Sequence, residues 1–294
     1  MTPVAWRYVP LTAVPVTGRP HLTRVGDSVH VFAARPDRAG VEHVVVSDDD
    51  SWEIRPPLPL ASVSGAAAGP DGPVVAGARL GDLAAVVLAD TEIVLAVHHE
   101  VAAWPVPVDG DPVRAVLATG HAPTTVRVAT PDTEHHVLLV ADEVHSLQAT
   151  AAPDGLDLLC QTSAHTRFLR VTPGTRMERT LPSGSFLGSG AVLAARPPGL
   201  EIWSPDTDTR RQIPLRGLHI GRLGLVDDLL TWTVDDTDEP PAAWVARLGP
   251  TDLEHPTRLP DPGHTAVVRR LGGRMVVAQQ VSGRLEIWLG TLPK

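Results

Sequence analysis

Histidine is the most chemically capable residue type in this 294-residue chain, which holds thirteen of them, and four recur at a nearly fixed distance before a hydrophobic position. His264 precedes Trp288 by 24 residues and His219 precedes Trp244 by 25, while His21 precedes Val46 by 25 and His145 precedes Val171 by 26. Neutral imidazole nitrogens bind zinc, manganese or iron at about 2.0 to 2.2 Å, so histidines converging on one point would make a metal centre. His99, within His98-His99-Glu100, joins His21, His145, His219 and His264 as a candidate ligand. The competing reading makes the recurring histidines structural, hydrogen-bonded where a strand begins, and the regular spacing favours it. Arg24, Arg222 and Arg269 follow histidines of this column by three, three and five residues and are candidate contacts for an anion. Salt bridges between neighbouring units would explain those arginines equally well.

Other groupings promise less chemistry. Asp48-Asp49-Asp50 lacks the ligand spacing of a calcium loop and suits a hairpin turn. Glu134-His135-His136 falls on an expected outer strand. The glycine-rich stretch from Gly184 to Gly190 has neither a lysine nor a following helix to hold a phosphate. Cys160, in Leu158-Leu-Cys-Gln, reads as a buried strand residue. There is no nucleophile elbow and no paired-cysteine metal motif.

The elements that must position these residues are short strands. Runs rich in Val, Ile, Leu and Thr, such as Val29–Ala33, His43–Ser47, Leu83–Ala89, Thr124–Ala129 and Met275–Gln279, are punctuated by Gly, Pro and Asp. The 29 prolines and 25 glycines would break long helices but suit edges and turns. Repetition then sets the architecture. Gly199-Leu-Glu-Ile-Trp203 returns as Arg284-Leu-Glu-Ile-Trp288, with Trp244 between, in steps of 41 and 44 residues. Turn phrases recur as Ser204-Pro-Asp-Thr207, Thr172-Pro-Gly-Thr175 and Thr130-Pro-Asp-Thr133, and strands close on Leu/Pro phrases such as Gln212-Ile-Pro-Leu215. The stretch Trp6-Arg-Tyr-Val-Pro-Leu11 has the same character, whereas the last unit runs out after Trp288. The N-terminal stretch therefore supplies the last strand of the final unit and closes a ring. Units near 12–60, 61–97, 98–140, 141–182, 183–215, 216–260 and 261–294 make an all-β, seven-bladed propeller of four-stranded antiparallel blades. It forms one domain over residues 1–294. Six blades are the alternative count, and eight would leave too little chain.

At the level of motifs the chain resembles a WD-repeat propeller in degenerate form. Gly263-His264 opens the inner strand of the last unit and Ser282-Gly-Arg-Leu-Glu-Ile-Trp288 forms its third, but Leu289 stands where the family has Asp. Unit six has Gly217-Leu-His219 for Gly-His and Val245 after its Trp. The resemblance implies an interaction platform. It also implies a buried network in unit six of His219, Thr233, Asp236 and Trp244. Fold does not fix function.

Net charge is −9, which argues against a nucleic-acid partner because phosphate binding rests on clustered cations. Lys294 is the only lysine and asparagine is absent, a bias that fits a GC-rich genome and weakens acidity as a clue to partners. No apolar run approaches the roughly 18 residues of a membrane span, and Met1–Arg19 does not read as a signal peptide. A single cysteine suits a reducing cytoplasm, and a monomer is expected. Two functions stay open. The first is a non-catalytic propeller that binds a protein or small molecule at the histidine-bearing channel mouth, with Asp235–Pro241 as its acidic rim and no cofactor. The alternative is a metal-dependent lyase or cyclase that uses the histidine column on a small molecule.

Overall fold

In the computed structural model the chain is described over residues 6–9, 14–78, 84–89, 93–98, 103–110, 114–130, 134–140, 142–173, 175–196, 199–215, 220–234, 242–259 and 266–291. The described residues form seven four-stranded antiparallel sheets. Blades 1 to 6 span Thr17–Leu58, Gly65–His98, Ala103–Val140, Val144–Leu181, Ser185–Pro214 and Ile220–Arg258. Blade 7 takes three strands from Val267–Thr291 and its outermost from Trp6–Tyr8. That strand pairs Trp6 with Gly290, Arg7 with Leu289 and Tyr8 with Trp288. Pairing continues through Val9 N–H donating to the Ile287 carbonyl and a bridge between Pro15 and Arg284. The ring therefore closes as the repeats require, and the blades match the units read from sequence except that blade 2 runs on to His98, which the sequence assigns to the third unit.

The apolar patterning follows from a sheet covered on both faces. Side chains alternate across a strand. In the second strand of blade 1, Val29, Val31 and Ala33 enter the core shared with blade 7, while Phe32 and Ala34 enter the core shared with blade 2. Such strands read as continuous apolar runs instead of alternating ones. Each fully buried valine contributes about 1.5 to 3 kcal/mol to folding. The outermost strands are half-solvated, as in Trp52–Leu58. Two-residue turns join first to second strands, including Gly26-Asp27, Asp227-Asp228 and Gly272-Gly273. Gly26, Asp227 and Gly272 adopt φ of 56°, 54° and 58°, the left-handed region that Gly and Asp tolerate best.

One detail of the repeat needs correction. The sequence places Trp203, Trp244 and Trp288 at one strand position. Trp244 and Trp288 pair with Trp232 and Val277, the fourth residues after their first hairpin turns, but Trp203 pairs with Val192, the second. The Leu-Glu-Ile-Trp motif is anchored at the loop between second and third strands. The second strand of blade 5 has six residues against eight in blade 7, so its Trp sits one side-chain period lower. At the head of this motif a Cβ on Gly199 would lie 2.1 Å from the Ile213 carbonyl oxygen. Only glycine fits there.

The repeated turns between third and fourth strands fasten one blade to the next. Asp50 accepts from Arg7 at 3.0 Å and also pairs with Arg274, tying blade 1 to blade 7. Arg170 holds the fully buried Asp157 through two bonds of 2.6 Å and reaches Asp206 of blade 5. Arg179 pairs with Asp208 at 2.7 Å and lies 4.5 Å over the Trp203 ring, whose N–H also donates to Asp208. Arg211 donates to the carbonyls of Gly249 and Pro250.

Candidate functional site

The first strand of each blade lines the axis. These strands (Thr17–Val25, Gly65–Gly69, Ala103–Val108, Val144–Ala152, Ser185–Gly188, Ile220–Val226 and Val267–Leu271) contact one another in sequence around a complete ring. They run from a top face, where each blade begins, to a bottom face carrying the two-residue turns. A cavity of about 180 Å³ touches six of them, with Ala66, Pro107, Ala149, Leu187, Leu225 and Arg269 in its wall. It adjoins a bottom mouth of about 550 Å³ lined by Thr23, Arg24, Asp109, Asp227, Arg269, Arg270 and Gly272, and the two share Asp109 and Arg269.

Upper and lower halves of this channel differ in charge. In the upper half, Arg19 and Arg222 line one crevice with Trp232 and Trp244. Burial, and then Arg222, holds the Arg19 guanidinium below its ordinary pKa, although the side chain has exposed surface. Both observations suit a residue on the wall of a narrow solvated channel. His21 lies beside it. Burial first and the Arg19 charge second push this imidazole down to about 3, so it is neutral at pH 7. A neutral ring can ligate a metal, but a dication here would meet Arg19 at close range. The electrostatics suit an anion better.

The structure brings together only part of the expected column. His21 and His145 both stand on first strands, and His145 is exposed. They are not level, however. His21 precedes its bottom turn at Gly26 by five residues and His145 precedes its turn at Pro153 by eight. Three residues of strand separate their heights by about 10 Å. His99, His219 and His264 lie outside the described residues, as do Asp236 and the Asp235–Pro241 rim. Of the expected unit-six network, the Thr233 hydroxyl accepts the Arg222 backbone N–H at 2.9 Å, which a register irregularity between Ile220 and Leu223 frees from the ladder. Trp244 stacks on Trp232 at 6.3 Å. Among the described residues, no group of three or more His, Cys, Asp or Glu side chains is arranged to hold a metal.

The arginine trio divides between the two halves. Arg222 belongs to the upper crevice, while Arg24 and Arg269 face the bottom mouth. Arg269 Nε donates to the Leu22 carbonyl at 3.0 Å, linking blade 7 to blade 1. Burial lowers its pKa, opposed by Asp109 and Asp227. His98 ends the outermost strand of blade 2 instead of starting blade 3, and His135 and His136 lie on an outermost strand as expected.

Some charged residues escaped the sequence reading. Arg19, Asp109 and Asp227 were hidden because nothing distinguishes a channel residue from a turn residue in one unit. A signal was present in the repeats, since first-to-second-strand connections on the bottom face carry Asp27, Asp71, Asp109, Asp154 and Asp227, of which Asp109 and Asp227 line the mouth. A second omission is structural. His30 Nδ1 lies 2.9 Å from His43 Nε2 on the face of blade 1 turned toward blade 2, so one ring donates and the other accepts. Burial, then His30, then Arg55 push His43 down to about 3. Both rings are sealed from solvent and serve packing, not catalysis.

With this geometry in view, the fold has close parallels among solved structures. The WD40 repeats of RRP9 match at 14% identity and TM-score 0.61, covering 98% of this chain and 97% of that one. YCF48 from Cyanidioschyzon merolae matches at 13% identity and TM-score 0.60 over 98% and 99% of the two chains. A prolyl endopeptidase structure matches at 14% identity and TM-score 0.59, covering 95% of this chain but 50% of that chain. No protein-family model matches the sequence, and no curated protein does. The protein is a WD-repeat-like seven-bladed β-propeller, and at these identities the likeness concerns the fold alone.

Proposed function

We propose that the protein is a non-catalytic interaction module whose top face, around the channel mouth that carries His21 and His145, holds a protein partner. The observation that carries this reading is the use made of the opposite face. There the turns at Asp50, Asp206, Asp208 and Gly249-Pro250 are engaged in clamps between blades, so their repetition is explained by assembly of the ring. Loops of the other face vary from unit to unit, and variable loops on a rigid scaffold are where recognition concentrates. The acidic sequence Asp235–Pro241, which joins the second and third strands of blade 6, would give a basic partner its electrostatic complement.

The test exchanges Asp235, Asp238 and Glu239 for alanine and compares crosslinking of wild type and variant to co-purifying proteins. Binding should fall at least tenfold while the melting temperature moves by less than about 1 °C, as for substitutions away from the core. Loss of the same partner on Pro205→Ala, with the acidic variant unaffected, would place the surface on the wrong face. Elemental analysis of untagged protein tests the metal-dependent alternative. Stoichiometric zinc, manganese or iron that disappears on joint replacement of His21 and His264 would overturn the non-catalytic reading.

A further inference from the structure

The bottom mouth of the channel has a charge arrangement that the clamps between blades do not. Arg24 and Arg269 stand on one side of the account and Asp109 and Asp227 on the other, all lining one cavity of about 550 Å³. Arg270 also lines it but is paired with Asp228 at 3.1 Å. The four remaining charges form no ion pair with one another, and none pairs with any other described residue. Their opposite numbers elsewhere on the protein do so readily, as Arg170 with Asp157 and Arg179 with Asp208. The separation is held by backbone contacts. Arg24 Nε donates to the Gly26 carbonyl and Arg269 Nε to the Leu22 carbonyl, both at 3.0 Å, which fixes each guanidinium and leaves its Nη groups for another acceptor. Asp109 Oδ1 accepts the Ala68 N–H at 2.6 Å, leaving Oδ2, and the Asp227 carboxylate accepts no hydrogen bond among the described residues.

Two arginines held by backbone carbonyls and two carboxylates facing one solvated space favour a ligand that carries both charges. A simple anion would be attracted by the arginines and repelled by the aspartates, and a metal cation would meet the reverse. We propose that the bottom mouth binds a small zwitterion of the α-amino-acid class. Its carboxylate sits on the Nη groups of Arg24 and Arg269, and its ammonium lies between Asp109 and Asp227. Thr23, buried beside Arg24, lies at the base of the mouth, where a hydroxyl can complete the contacts. The site is independent of the partner surface proposed for the top face, so failure of either leaves the other standing.

Thermal melting with millimolar L-alanine, L-glutamate and L-lysine tests the proposal, with alaninamide and N-acetyl-L-alanine as controls lacking the carboxylate and the ammonium. At least one free amino acid should raise the midpoint, and neither blocked form should do so. Asp227→Asn keeps a side chain that tolerates the φ of 54°, so it leaves the turn intact and removes the charge. Asp227→Asn and Arg24→Gln should each raise the half-saturating concentration at least tenfold. No shift with any free amino acid would overturn the proposal. Equal shifts with N-acetyl-L-alanine would reduce the mouth to a plain anion site and overturn it as well.

Discussion

Replacing Arg170 with methionine isolates a charge that no other described residue compensates. Asp157 has no exposed side-chain surface and accepts from Arg170 Nε and Nη2, each at 2.6 Å. The two residues face each other directly across the second and third strands of blade 4. Deleting one partner of a buried pair costs about 3 to 5 kcal/mol because the other charge stays desolvated. Loss of the Asp206 contact adds little, since that carboxylate is 44% exposed. At roughly 2.1 cal/mol/K per residue, unfolding 294 residues carries an entropy near 0.6 kcal/mol/K, so the melting temperature should fall by about 5 to 8 °C. The double variant Asp157→Leu/Arg170→Met fills the same space with apolar groups and should recover to within about 2 °C of wild type. Calorimetry at one scan rate on the wild type, both single variants and the double variant gives the coupling. A single variant Arg170→Met that melts within 1 °C of wild type would show that the pair holds nothing together. A double variant as unstable as the single would show that geometry, not the unpaired charge, is what matters.

Three further outcomes are expected. Removing residues 1–12 deletes the Trp6–Tyr8 strand, the buried Val9 and the Arg7–Asp50 contact, and should lower the melting temperature by at least about 5 °C; a truncated chain that melts like the whole one refutes closure by this strand. His21 and His43 titrate near 3 in the fold against an ordinary 6.5, so the unfolded chain binds more protons between these values. Stability is complete above about pH 6.5 and falls as pH drops toward 3, by up to ~1.4 kcal/mol per pH unit for each ring. Urea midpoints at pH 7, 5.5 and 4.5 should show His43→Gln with a smaller slope than wild type, and identical slopes would contradict the buried neutral pair. Cys160 is buried, with its thiol pushed up to about 12 by burial, so iodoacetamide should label it only in denaturant. Labelling of the folded protein within an hour would place it on the surface.

Most of the fold was legible because a propeller repeats its errors as well as its signals. A single weak strand such as Gly65–Gly69 would not be recognised alone, yet its place in the ring is forced by the strands before and after it. The closing strand was legible for the same reason, since Trp6-Arg-Tyr had no unit of its own and the last unit lacked a fourth strand. The level of each side chain along the channel was not legible. His21 and His145 keep nearly equal distances to Val46 and Val171 because the six-residue loop 35–40 of blade 1 largely offsets its shorter approach to the turn, against a three-residue loop 163–165 in blade 4. Motif spacing measured to the third strand thus hides a displacement along the first.

That displacement decides what the channel can do. The bottom turn is the reference shared by every blade, and counted from it Arg19 and Arg222 stand seven and five residues up, while Arg269 and Arg24 stand three and two. At about 3.3 Å per residue the two groups are separated by several ångströms along the axis. Arg24, Arg222 and Arg269, which each follow a histidine of the column within five residues, therefore cannot share one anion. Arg19 of the upper pair lies beside the neutral His21, whereas the lower pair shares its mouth with Asp109 and Asp227. The field changes character within the length of one short strand. An anionic group entering from the top meets attraction first, and one entering from the bottom must bring a positive charge with it. Exchanging Arg19 for glutamine should consequently alter anion binding at the top and leave the bottom mouth unchanged, while Asp227→Asn should do the reverse. Titrations with inorganic phosphate and L-alanine on both variants separate these effects. If either substitution moves both titrations equally, the channel acts as one electrostatic compartment and the division by depth is wrong.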